Sequence, residues 1–179
     1  MNILGCLIDD EIELSIVAMR DCVSLFNLID GSRERLGRWL GFVSTTNEPS
    51  DVEAFVSSVR QAYALEDSYT FTIRYRGAIA GVISIKVDKV ENCGEIGYWL
   101  GIDFEGKAIV TRSVNALCEF AFVELGLHRL VINVASSNER SANVAHRSGF
   151  VLEGIARGAS KVGDTYYDAK VFSRLSSDA

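Results

Sequence analysis

Between residues 93 and 135 the hydrophobic period changes twice, and few folds accommodate the result. CGEIGYWL at 93–100 reads as a strand. After it, Val110, Val114, Leu117, Cys118 and Ala121 recur at i, i+4, i+7, i+8 and i+11, one continuous face of a helix. LVINVA at 130–135 then reads as a buried strand. Strand, amphipathic helix and strand make a βαβ crossover, which needs a sheet to pack on.

The flanking segments supply the rest of that sheet. Residues 12–19 read as a first strand. Residues 21–40 are helical, with Val23, Phe26, Leu28 and Ile29 apolar and a break at Gly31. Residues 41–50 form a loop with the one proline, Pro49, and Ser50 followed by Glu53 resembles a capping box for a helix over 51–65. YTFTIRY at 69–75 alternates as a strand, Arg76-Gly77 turns tightly, and 79–87 returns as the second arm of a hairpin. Residues 138–147 form a short helix ended by Gly149, and 150–155 and 166–173 are two more strands around Gly163. The order β, α, α, β, β, β, α, β, α, β, β predicts an α+β (mixed α/β) fold: a mixed sheet with helices on its faces. No repeat, low-complexity tract or linker divides the chain, so residues 1–179 are expected to form one domain.

Composition narrows the function. The chain has 179 residues, a net charge of −6 and a pI of about 5.0. An acidic chain argues against direct nucleic-acid binding, which favours a basic face. No apolar run reaches the length of a membrane span, and MNILGCLIDDEIE turns acidic at once, unlike a secretory leader. Cys6, Cys22, Cys93 and Cys118 form no CxxC pair, and the histidines are His128 and His146. That argues against a metal site and for reduced core thiols in a cytoplasmic protein.

The junction FEGKAIVT, residues 104–111, leads from the strand into the helix. The first amides of a helix lack internal acceptors and carry partial positive charge, so an anion can bind there. Gly106 allows close backbone approach, and Lys107 offers a charge. Glu105 opposes an anion unless it points away. Taken alone the signal is weak, and an ordinary turn is the commoner reading of such a junction.

With EIGYWL before it and NERSANVAHRSGFVLEG after it, this junction resembles the acetyl-CoA-binding core of the GNAT N-acetyltransferases. The similarity is greatest to the RimJ/RimL-like branch, which acetylates N-termini of ribosomal proteins. SRERLGRWLGFV at 32–43 is similar to that branch's segment between its first two helices. The resemblance covers residues 12–175, nearly the whole chain. It implies a mostly antiparallel twisted sheet of about seven strands, about four helices and one splayed strand pair. Where the family loop has Q/R-x-x-G-x-G/A, this chain has Glu105, Ala108 and Val110. Ala108 is the departure, since the branch commonly has glycine. A negative φ at Ala108 leaves the site intact, and a positive φ compromises it. The expectation is an intact, weaker site.

The resemblance further implies that strands 95–100 and 130–135 part, and that the pantetheine arm of acetyl-CoA adds along the first as a strand would. The diphosphate would lie on the amides of Glu105, Gly106, Lys107, Ala108, Ile109 and Val110. An amide near Trp99 or Leu100 would polarise the thioester carbonyl. Glu95 is the candidate base for the acceptor amine, or an exposed strand carboxylate in an ion pair. Ser141 is the candidate acid for the departing thiolate and Asn138 a pantetheine contact. Alternatively Asn138 caps the helix and Ser141 bonds to backbone. Trp39, Phe42, Tyr98 and Trp99 would line the acceptor cleft, or belong to the core. Arg35 and Arg38 are surface charges or contacts for an acidic peptide. The acceptor would be a protein N-terminus, or a small amine such as a polyamine or aminoglycoside. A non-catalytic acyl-CoA-binding or interaction module on the same fold is the other reading. No metal is implied, and self-association is common in such families.

Overall fold

The computed structural model describes residues 6–178. Eight strands, β1 (Cys6–Leu7), β2 (Ile12–Ile16), β3 (Ser68–Tyr75), β4 (Ala78–Asp88), β5 (Cys93–Leu100), β6 (Arg129–Ala135), β7 (Val151–Val162) and β8 (Thr165–Leu175), form one sheet in the order β1-β2-β3-β4-β5-β6-β8-β7. The helices are α1 (Cys22–Gly31), α2 (Arg33–Gly37), α3 (Pro49–Ala64), α4 (Ile109–Glu119) and α5 (Glu139–Arg147). Every neighbouring pair is antiparallel except β5 and β6, which the α4 crossover forces to run parallel.

Each face of the sheet has its own core. The stripe of α4 packs Val114, Leu117 and Cys118, with Ala121 in the turn just beyond it and Ala142 and Ala145 of α5, against Ile83, Ile85, Ile96 and Leu130. The opposite face packs Leu25 and Ile29 of α1 and Val52 and Val56 of α3 against Val82, with Trp99 at its margin. Cys22 and Cys118 are buried, and burial pushes both thiols up, Cys118 to about 11. They are inert core residues. The side chain of Cys6 and residues 1–5 of the N-terminal stretch lie outside the described residues.

Three details differ from the expectation. The two-residue β1 adds an eighth strand beyond the seven expected, too short to carry a period. Helix α3 begins at Pro49, because Pro suits the first helical position. The side chain of Asp51 accepts from the amides of Asn47 (2.7 Å) and Glu48 (3.1 Å), so Ser50 and Glu53 are not the cap. The last hairpin is longer than predicted and turns at Gly163, where φ is +57°.

The parallel pair is short. It covers Cys93↔Arg129, Gly94↔Leu130 and Glu95↔Val131 and then stops. Beyond Glu95, β5 stays with β4 and β6 stays with β8 as far as Ala135↔Ala169. Gly81 faces Leu100 beside a bulge in β4. A Cβ there would lie 2.1 Å from the Trp99 carbonyl oxygen, so only glycine lets the two backbones approach opposite the end of β5, beyond the last rung shared with β6.

A buried ion pair anchors α1 to the sheet. Asp21, 2% exposed, bonds Arg74 of β3 at 2.6 Å and accepts the Ala18 amide at 3.0 Å. Asp21→Ala leaves the guanidinium without its counter-charge and is expected to lower stability by about 3 kcal/mol, read by urea denaturation. An unchanged midpoint would show the pair to be dispensable.

Candidate active site

The backbone alternation decides what faces the gap between β5 and β6. The Asn92 carbonyl accepts the His128 amide at 3.0 Å on the β6 side, and the Gly101 amide donates to the Ala80 carbonyl at 2.9 Å on the β4 side. Backbone groups alternate along a strand, so even-numbered residues of β5 face β6 and odd-numbered ones face β4. Past Glu95, the amides of Tyr98 and Leu100 therefore point into the gap without a ladder partner. The Trp99 amide points at β4. Of the two amides proposed to polarise a carbonyl, geometry keeps Leu100 and removes Trp99.

The gap opens into a cavity of about 980 Å³, walled by β5, β6, the loop before α4, α5 and the α2 segment. Tyr98 spans it. Its side chain is on the face of β5 opposite Trp99, and its hydroxyl meets Ser141 Oγ at 2.9 Å and donates to the Ser141 carbonyl at 3.2 Å. Burial pushes the phenol up to about 12, with the Ser141 hydrogen bond pulling it partly back. At neutral pH this is a protonated hydroxyl pair able to donate a proton or a hydrogen bond. Tyr98 thus belongs beside Ser141 and not to an acceptor cleft shared with Trp99. Asn138 caps α5, its Oδ1 accepting the Ser141 amide at 3.3 Å, and it lines the cavity as well.

On the other face of β5, Trp99 tilts against Phe42 with ring centroids 6.2 Å apart, and Trp99 and half-buried Trp39 both line the cavity. Glu95 shares that face of β5. It sits on the last paired rung, exposed, and accepts Asn133 Nδ2 at 3.0 Å. Asn133 lines the cavity and Glu95 does not, so the carboxylate is at the rim. Neither His128 nor His146 lines it.

At the helix entrance, the Arg112 amide bonds the Ala108 carbonyl at 3.1 Å, so the amides of Ile109 and Val110 have no acceptor within α4. Gly106 has φ +77° and Ala108 φ +54°. The negative φ hoped for at Ala108 is not found: the residue that replaces glycine is left-handed, at a cost of about 1 kcal/mol. The turn itself is formed, so strain, and not a lost loop shape, is the consequence. Lys107 is also corrected. Its ammonium bonds the Asp103 carbonyl at 2.8 Å and lies over Tyr75 and Phe104, away from the cavity. Glu105 does line the cavity, but Arg35 and Arg140 hold its carboxylate. Arg35 is therefore not a free surface charge, while Arg38 pairs with Glu34 at 2.7 Å. Arg140 and Asn133 went unremarked in the sequence. Arg140 adjoins Ser141 in the NERSANVA run, which was the available signal.

With this geometry in view, comparison with known proteins is informative. Residues 13–151 match the acetyltransferase (GNAT) domain family. The Bacillus subtilis (strain 168) protein YdaF, named provisionally as a ribosomal N-acetyltransferase, is 34% identical over 95% of this chain and 94% of its own. The ribosomal-protein-serine acetyltransferase of Escherichia coli (strain K12) is 27% identical over 94% of each. Among solved structures, the microcin C7 self-immunity acetyltransferase MccE, crystallised with acetyl-CoA and AMP, superposes with a TM-score of 0.91 at 31% identity, covering 96% of both chains.

Ala108→Gly removes the left-handed strain, and is expected to raise stability by up to about 1 kcal/mol after the added freedom of the unfolded chain is counted. Thermal denaturation checks it. A destabilised variant would mean that the methyl group packs usefully.

Proposed function

The chain belongs to the GNAT acetyltransferase family, and from that premise we propose that acetyl-CoA is its donor and the α-amino group of a protein N-terminus, ribosomal proteins foremost, its acceptor. The observation that carries this reading is the Leu100 amide facing the open gap beside the Tyr98–Ser141 hydroxyl pair. An oxyanion donor and a proton donor stand at the two walls of one cleft. The diphosphate sits on the free amides of Ile109 and Val110 with Gly106 giving room, and Asn138 contacts the pantetheine while capping α5.

The reaction is a direct attack. The neutral amine adds to the thioester carbonyl carbon while the Leu100 amide stabilises the developing oxyanion. The amine loses a proton to Glu95, through water, since an α-amino group with a pKa near 8 needs only a modest base. The C–S bond breaks, and the leaving thiolate takes a proton from the Tyr98–Ser141 hydroxyl pair, which regains one from water as Glu95 releases its own to solvent. Trp39, Phe42 and Trp99 hold the peptide. A polyamine acceptor fits less well. The carboxylates lining the cavity are Glu105 and Glu139, and both are engaged, by Arg35 and Arg140 and by Lys170. They leave no unpaired carboxylate in the lining to receive a polycation.

Calorimetric titration with acetyl-CoA, CoA and ATP tests the donor. Binding of acetyl-CoA with ATP much weaker is expected, and no binding at millimolar acetyl-CoA would favour a non-catalytic module. CoA release should then be faster with peptides bearing free N-termini than with spermidine, and the reverse order would reassign the acceptor. Ser141→Ala should lower kcat by about a hundredfold with acetyl-CoA affinity retained. Undiminished turnover would remove Ser141 from the chemistry.

A further inference from the structure

Glu105 is a carboxylate in a loop that should attract anions, and it is gripped from two sides. Arg35 of α2 reaches Oε1 with Nε at 3.1 Å and Oε2 with Nη2 at 3.2 Å. Arg140, in the first turn of α5, bonds the same Oε2. All three residues line the cavity. Glu105 follows β5 and Arg140 follows β6, so their bond ties the two walls of the gap together at its mouth. The Tyr98–Ser141 contact ties them further in.

The two arginines are held unequally. Arg35 and Glu105 are each 29% exposed, and Arg35 engages both carboxylate oxygens with its planar fork. Arg140 is 71% exposed and engages one oxygen. A solvated ion pair contributes little, so Arg140 leaves at small cost. Arg35 then still neutralises Glu105. Without Arg35, the carboxylate would stand bare beside the amides of Gly106 to Val110 and repel any anion there.

Resting on the acetyl-CoA reading of this cavity, we infer that Arg140 is a phosphate-binding residue for the donor, parked on Glu105 until the diphosphate arrives. Binding exchanges one anion for another on the same guanidinium. Glu105 acts as the internal counter-anion, and Arg35 keeps it neutral once Arg140 has moved. The exchange explains how an acidic residue is tolerated in a diphosphate loop. It also makes the site selective, because a weakly charged anion cannot displace the carboxylate.

The exchange predicts effects of opposite sign within one cluster. Glu105→Gln frees Arg140, and acetyl-CoA should bind about threefold tighter or more. Inorganic diphosphate should likewise bind this variant more tightly than it binds the natural protein. Arg140→Gln should weaken acetyl-CoA by about tenfold, with Arg140→Lys recovering part of the loss. Arg35→Gln should weaken it too, through the exposed carboxylate, and Glu105→Gln placed on top should restore affinity. Titration calorimetry reads all of these, with circular dichroism confirming the fold. A triad that merely braces the loop would lose affinity in all three single variants and gain nothing from the double one; that pattern, or an Arg140→Gln protein that binds normally, overturns the exchange. If the natural protein binds acetyl-CoA and only the variants disobey, the exchange alone fails. If the natural protein binds no acetyl-CoA, the donor assignment fails and the exchange with it.

Discussion

The geometry of the candidate site depends on one broken ladder. A parallel pair in a closed sheet would satisfy its backbone groups strand to strand, yet β5 and β6 share three rungs and part. The amides of Tyr98 and Leu100 then face a cavity with no ladder partner. A sheet tolerates such an opening where water or a ligand completes the bonding, and where each strand is secured on its other side. Here β4 secures β5 and β8 secures β6 along their whole lengths. The glycine at 81 permits the close approach of β4 to the end of β5, beyond the last rung shared with β6.

The opening brings residues distant in sequence into one place. Tyr98 and Ser141 are separated by 43 positions, and the Arg35–Glu105 pair by 70. The first crosses the gap, as does the Glu105–Arg140 bond at its mouth, and the Arg35–Glu105 pair joins α2 to the loop that follows β5. Helix α4 follows β5 and helix α5 follows β6, so the free amides at the start of α4 and the cap of α5 line the same cavity. Asn138 shows how economical this is: its side chain both caps α5 and lines the cavity. The two faces of β5 divide the work. The Tyr98 side meets the Ser141 hydroxyl, and the Trp99 side meets Phe42.

The loop before α4 shows how a strained site is stabilised from outside. Ala108 holds a left-handed conformation that suits glycine better, and Glu105 puts a negative charge where anions are drawn. Arg112 fixes the loop by donating to the Lys107 carbonyl at 3.2 Å while pairing with Asp9 at 2.8 Å and Glu11 at 3.1 Å. Arg35 and Arg140 neutralise Glu105. The departures from the family pattern at 105 and 108 are thus met by arginines elsewhere in the chain.

The periodicities of α4 and of β3 to β6 were legible in the sequence, because the spacing of apolar side chains directly reflects which face is buried. The family resemblance came from local motifs, EIGYWL, GKAIVT and the Asn138–Phe150 run, whose spacing survives along the chain. The fine state of the site was not legible. The conformation of Ala108 depends on the loop's closure, since an alanine's φ cannot be read from its neighbours alone. The pairing of Tyr98 with Ser141, the choice of Leu100 over Trp99 and the capture of Glu105 by Arg35 and Arg140 all join separate elements. Composition and period report burial and local form. Strand register and the meeting of α2, α4 and α5 at the gap are decided only when the sheet closes, because they depend on contacts between residues that share no local pattern.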